Sequence, residues 1–246
     1  MNTDRLAAGS SSDVDVDTIL TNPIVTPGGR LDGEVHFRGG KTDYNIATLS
    51  LEFLATLEAE SGNPNYPLTI PFGYLELANE LPLAAGARQV VPFAVTLPWL
   101  TPINTVGAKR LKGVALGVHT GMRMGGTFNF NDSDPLQAAP VPIAEQVLKA
   151  AERTRFTLST TDLEDIRVTP AHTSFVQQIR CVPGPEFAPQ LGELQVAFIS
   201  DDNGVEVLLT TDSGARQQFT VPHSDAVTFN ADGLLEAGLR ALGTAR

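Results

Sequence analysis

Four histidines, one cysteine and several close pairs of carboxylates are the side chains of this 246-residue chain with the most chemistry to offer. A metal-binding or catalytic histidine needs a second ligand or an orienting carboxylate at a telling spacing. His36, His119, His172 and His223 stand in no H-x-x-x-H frame, and no C-x-x-C pair is present. His36 falls on the wet face of a strand, and His119 precedes Thr120-Gly121 on another, so both read as structural histidines. Asp132-Ser133-Asp134 offers oxygens to a calcium ion, but Gln137 is no substitute for the closing carboxylate. Turn chemistry accounts for Asn131 and Asp132 as well. Asp201-Asp202 is explained by a hairpin, and Glu164-Asp165 by a solvated turn rather than a glycosidase pair.

Gly39-Gly40-Lys41-Thr42 shares its last residues with a phosphate loop, yet the first glycine of that frame is missing and no helix follows. There is no G-x-S-x-G elbow, and Ser174 has His172 nearby only in sequence. Cys181 shares a strand face with Phe175 and Ile179, which makes it a buried, inert thiol. The residues therefore nominate no catalytic, metal-binding or cofactor-binding group. The chain reads as a non-enzyme without a cofactor, its partner-binding residues unknown. An enzyme with a site assembled from scattered residues is the weakest rival.

The elements that would carry these side chains are mostly strands. Val14, Val16, Thr18 and Leu20 alternate with Asp13, Asp15 and Asp17, and Leu31, Gly33, Val35 and Phe37 alternate with polar neighbours after a turn at Pro27-Gly28-Gly29. The strongest signal runs over 47–60, where Leu49, Leu51, Phe53, Ala55 and Leu57 fall on one side of a pleat and Ser50, Glu52, Thr56 and Glu58 on the other. Further strands are expected near 66–79, over 89–99 as an edge or irregularly paired strand because of Pro92 and Pro98, and over 114–124. A polar turn is expected from Asn129 to Pro135. The Pro/Ala segment at Ala138–Pro142 marks a boundary, with helices near 142–153 and 230–242, the second capped by Asn230. Strands at 155–162, 174–182, 193–200 and 204–211 lie between them, the last two joined by a hairpin at Asp201-Asp202-Asn203-Gly204. The expected organisation is a flexible 1–12, a β-sandwich over 13–137 and a smaller β-rich part with flanking helices over 138–246. Sandwich edges and the loops at 61–67, 101–113 and 183–192, mixing Pro with apolar residues such as Pro185, Phe187 and Pro189, offer surfaces for strand addition or docking, against the plainer reading of solvated spacer loops.

Composition narrows the classes of partner. Seventeen Lys and Arg against 28 Asp and Glu leave a net charge of −11, which repels phosphate backbones and argues against nucleic acid. Lys109-Arg110-Leu111-Lys112 is too narrow a basic patch to reverse this. One cysteine can close no internal disulfide, no segment reads as a signal peptide, and no run approaches the ~20 apolar residues of a membrane span, so a cytoplasmic protein is expected.

Several short blocks carry a resemblance. They are Val16-Asp17-Thr18-Ile19-Leu20, Pro27-Gly28 with Leu31-Asp32-Gly33-Glu34-Val35, Val91-Pro92-Phe93 with Leu97-Pro98 and Thr101-Pro102-Ile103, and Val118-His119-Thr120-Gly121. In the second half they are Ser174-Phe175-Val176-Gln177, Gly192-Glu193-Leu194 and Asp202-Asn203-Gly204-Val205-Glu206 with Val207-Leu208-Leu209. In this order the chain resembles the bacterial sporulation-control proteins with an arrestin-like N-terminal domain. The resemblance implies a mainly β chain, an arrestin-like antiparallel β-sandwich followed by a smaller β-rich domain with flanking helices. It implies a non-enzymatic regulatory adaptor or scaffold acting by protein–protein binding, with cytoskeletal or cell-division proteins among the partners. A self-assembling homodimer through a strand edge of the second half is the alternative reading.

Overall fold

A computed structural model describes residues 14–22, 24–58, 68–124, 127–169, 172–185, 187–188 and 192–244. The expected flexible lead-in at 1–12 and the loop at 61–67 lie outside these residues. In chain order the strands are β1 (Asp15–Leu20), β2 (Ile24–Val25), β3 (Arg30–Arg38), β4 (Tyr44–Leu57), β5 (Thr69–Leu83), β6 (Arg88–Thr96), the two-residue β7 (Thr105–Val106) and β8 (Lys109–Arg110), β9 (Val114–Met124) and β10 (Thr127–Ala138). Helix α1 (Pro142–Arg153) precedes β11 (Thr157–Thr169), β12 (His172–Val182), β13 (Leu194–Ser200), β14 (Gly204–Thr211) and β15 (Arg216–Pro222). Helix α2 (Ala231–Leu239) follows.

Pleated alternation decides the first half. In β3 buried Leu31, Val35 and Phe37 alternate with less buried neighbours, and β1 pairs with it antiparallel, Val16 opposite Phe37 and Thr18 opposite Val35. Sheet β1-β3-β6 faces sheet β2-β10-β9-β4-β5, and Leu49, Leu51 and Phe53 of β4 meet Val118 and Met122 of β9 in the space between. As expected, β6 lies at a sheet edge, where Pro92 has no ladder bond to lose.

Between Asn129 and Pro135 there is no turn. Strand β10 runs through the segment, pairing Asp132 with Thr120, Asp134 with Val118 and Leu136 with Leu116. A register shift between Phe130 and Asp132 absorbs the extra residue, and here β10 is an edge, where Pro135 is tolerated. Polar residues that read as a turn are thus an edge strand whose carboxylates share the face of Leu136. Glu164-Asp165 likewise lies within β11, not in a turn.

In the second half β11-β12-β13-β14-β15 form one antiparallel sheet, and the β13–β14 hairpin closes at the expected residues. β15 is not among the expected strands, although the Asp212-Ser213-Gly214 turn before it, closed by Gly214 donating to Thr211 O at 2.8 Å, announces a hairpin. Helix α1 begins on Pro142, buries Ile143, Ala144, Val147 and Leu148, and carries the Glu145–Lys149 ion pair at 2.6 Å. Helix α2 starts where Asn230 accepts from the Gly233 amide at 3.0 Å. Its Gly238, costly in a helix by propensity, has a packing reason: a Cβ there would sit 2.5 Å from Leu209 Cδ1. Gly238→Ala is therefore expected to destabilise the chain by about 1–3 kcal/mol, against the helix-propensity trend, in a thermal melt. A neutral or stabilising result would mean that α2 can lift off β14 freely.

Candidate functional site

Two uncharged side chains, Asn104 and Gln177, hold the backbone where the two halves meet. Asn104, buried, accepts the Ala138 amide at 2.8 Å through Oδ1 and donates to Leu136 O at 3.0 Å. From β12, Gln177 accepts the Ile103 amide at 2.8 Å and donates to Ile103 O at 2.6 Å and to Thr161 Oγ1 at 2.8 Å. The segment Thr101–Asn104, expected as part of an exposed docking loop, is instead buried. Its amides donate to Pro98 O from Thr101, to the Gln177 side chain from Ile103 and to Ala138 O from Asn104, which lets it thread between the halves without unpaired amides.

Around this joint opens an apolar cleft with about 40 Å³ of free space, lined by Trp99, Leu100, Pro102, Val141, Phe175 and Phe198 among others. Among the described residues no charged side chain lines it. Gln177 and Thr101 line it too, but their polar atoms are engaged: Thr101 Oγ1 donates to Pro98 O at 2.7 Å. Leu100, at 42 % exposed, is one of several large apolar residues left partly in water, and the one at this cleft.

Trp99 forms one wall. Its Nε1 donates to Asp202 Oδ1 at 2.8 Å, and its ring stacks on His223 with centroids 5.2 Å apart. Gly28, with φ at +68°, brings the Pro27-Gly28-Gly29 turn against the indole, where a Cβ would lie 2.5 Å from its Cη2. Asp201 accepts from the Asn203 and Gly204 amides at 2.7 and 3.0 Å, which holds its carboxyl below the usual range. The hairpin reading of Asp201 stands; the bond from Asp202 to Trp99, 103 residues away, is not visible in the sequence.

A second polar group lies in the sandwich, at the seam between the edges of β1 and β10. Asp132 accepts the Thr18 amide, and Thr18 Oγ1 meets Thr120 Oγ1 at 2.6 Å, both buried. Asp134 Oδ2 is buried with no donor in reach. Burial first, then the charge of Asp132, its bond to Asp132 and the charge of Asp17, push the Asp134 carboxyl up to about 7. His119, opposite Glu52 and Ser133, is held below the usual histidine range by burial, opposed by Glu52 and Asp132. No group of three or more His, Cys, Asp or Glu side chains suited to a metal occurs among the described residues.

The remaining candidates are dispersed. His36 Nε2 pairs with Glu34 at 2.9 Å on the outer face of β3. Cys181 is fully buried, and burial pushes its thiol up to about 12, so it is a packing residue as expected. The side chain of His172 lies outside the described residues. Phe187 of the expected docking loop at 183–192 stacks on Phe156, centroids 5.4 Å apart, instead of facing a partner. No helix among the described residues is long and apolar enough to cross a membrane.

The cleft gathers Pro27, Thr101-Pro102-Ile103, Phe175-Val176-Gln177 and, through Trp99, Asp202. All of these come from the short blocks that carry the sequence resemblance. Comparison with known proteins agrees. The sporulation-control protein Spo0M of Bacillus subtilis strain 168 is 29% identical over 202 residues, covering 82% of this chain and 76% of that protein. The crystal structure of Spo0M from Bacillus subtilis superposes with a TM-score of 0.79 at 24% identity, covering 95% of this chain and 100% of that one, which establishes the mainly β fold. Since residues 5–215 also match the SpoOM protein family, the chain belongs to that family of sporulation-control proteins.

Proposed function

We propose that this chain is a non-enzymatic regulatory adaptor of the cytoplasm, arrestin-like in its first half, that acts by protein–protein binding at the cleft between its halves. One observation carries the reading: three of the resembling blocks, at Pro27, Thr101-Pro102-Ile103 and Phe175-Val176-Gln177, meet from far apart in sequence at an apolar cleft where Gln177 and Thr101 are already bonded within the protein. Such a lining suits docking of another chain better than turnover of a substrate. The division into a sandwich over 13–137 and a smaller part over 138–246 then supplies two bodies that frame one surface.

Replacing the chromosomal copy in the native host tests it. Leu100→Asp, at an exposed position, is expected to leave the folded protein at normal abundance and to reproduce the deletion phenotype, read as spore counts if the host sporulates. A variant that behaves as wild type at equal protein level would remove the cleft as the docking surface.

A second reading rests on β15. Its outer edge pairs with no strand among the described residues, and Arg216 is its one charged residue, so little guards it against pairing with a second copy. Light scattering over a wide concentration range tests this homodimer; an invariant monomer ends it.

A further inference from the structure

We infer that the cleft receives an apolar side chain from a cation-rich peptide segment of a partner, a leucine-like residue flanked by lysine or arginine. The inference rests on the adaptor reading and names the partner's chemistry.

The floor selects the apolar element. Trp99, Phe175 and Phe198 line it, and the two larger polar side chains beside them are occupied within the protein, Gln177 by the Ile103 backbone and Thr101 by Pro98 O, which leaves the Ser200 hydroxyl. An inserted polar group would lose its water and gain little, whereas an inserted aliphatic group also covers Leu100. The free space is small, so one side chain enters, not a drug-sized ligand.

The rim selects the charge. Ser200 lines the cleft, and the next two residues, Asp201 and Asp202, are carboxylates. Asp201 stays ionised because two backbone amides bind it, and Asp202 is fixed against the wall by the Trp99 indole. Among the lining residues no cation offsets them. An acidic peptide, a nucleic acid or an anionic lipid surface would be repelled both locally and by the net charge of −11, and a second copy of this chain would carry the same charge. A cationic segment is attracted by both.

Trp99 is the chain's single tryptophan and forms the cleft wall, so its emission reports occupancy of this place alone. The full-length protein is titrated with a short peptide alternating lysine and leucine, with the same peptide carrying glutamate for lysine, and with one carrying alanine for leucine. The lysine–leucine peptide is expected to shift Trp99 emission saturably and to bind more weakly as salt rises. The alanine peptide should bind about tenfold more weakly, and the glutamate peptide should leave the emission unchanged.

The double variant Asp201→Asn with Asp202→Asn keeps the hairpin and indole acceptors but removes both charges. It should lose about three- to tenfold in affinity together with most of the salt dependence. Leu100→Ser should weaken binding, and Val90→Ser, an equally exposed apolar site on the outer face of the sandwich, should not. No emission change, an equal response to the glutamate peptide, or indifference to the double variant would overturn the proposal. So would an emission change driven by the protein's own concentration, which would make the cleft a self-contact. The adaptor reading fails separately, through the host replacement of Leu100.

Discussion

Gln177→Leu is expected to destabilise the chain by roughly 2–4 kcal/mol, because it strips two buried backbone groups of their partners at once. The Ile103 amide and carbonyl both bond to the Gln177 side chain, and Ile103 itself is 5% exposed. Leucine fills similar space, so the loss measures unsatisfied polarity rather than a cavity. For a chain of this size that corresponds to a fall of about 4–16 °C in melting temperature. The loss should be visible by circular dichroism and by Trp99 emission, since Ile103 and Trp99 belong to the same stretch of chain. A loss below about 1 kcal/mol would show that water reaches Ile103 and replaces the amide.

The second large effect is a gain. Asp134→Asn should stabilise the protein above neutral pH and flatten its stability between about pH 4 and 7. The carboxyl titrates near 3.8 when unfolded and at about 7 when folded, so the folded state holds the proton more tightly. Its contribution is fully present below the unfolded value and is lost as pH rises through 7, where the unfolded chain binds fewer protons. Ionisation then sets a further negative charge beside Asp132 and Asp17, with His119 and Glu52 close to the same seam. The full shift would exceed 4 kcal/mol, but the side chain is partly solvated, and screening reduces the expected gain at pH 8 to roughly 1–2 kcal/mol. Denaturant melts of both proteins at pH 5 and pH 8 decide it; parallel pH profiles would show that Asp134 does not carry the proton.

The seam explains why one strand was not legible. Apolar alternation announces β4, whose pleat separates Leu51 and Phe53 from Glu52, and Pro142 and Asn230 announce the two helices. β10 carries Asn131, Asp132, Ser133, Asp134 and Pro135, residues that favour turns when no partner strand is in view. Only pairing with β9 and the donors of β1 make it a strand, and both come from elsewhere in the chain. Inward carboxylates also blunt an edge against unwanted pairing, and a local reading has no means of seeing that.

The cleft divides in the same way. Its blocks were visible one by one as Pro27-Gly28, Thr101-Pro102-Ile103 and Phe175-Val176-Gln177, but not their meeting. Gln177 reaches Ile103 across 74 residues and Trp99 reaches Asp202 across 103, distances at which spacing carries no signal. The loops at 101–113 and 183–192 were expected to face a partner, and their apolar residues turned inward where packing could use them.

The joint has a consequence for how the two halves respond to their surroundings. Carboxamides neither ionise nor attract counterions, so the pins at Asn104 and Gln177 are blind to acidity and to ionic strength. Agents that compete for amides, urea foremost, are what should loosen them, while acid and salt act on the charged contacts between the halves, Asp202 with Trp99 and Glu152 with Lys109. A mild urea series at constant pH would then weaken the carboxamide pins, whereas acid would weaken the Asp202 and Glu152 contacts and leave those pins intact.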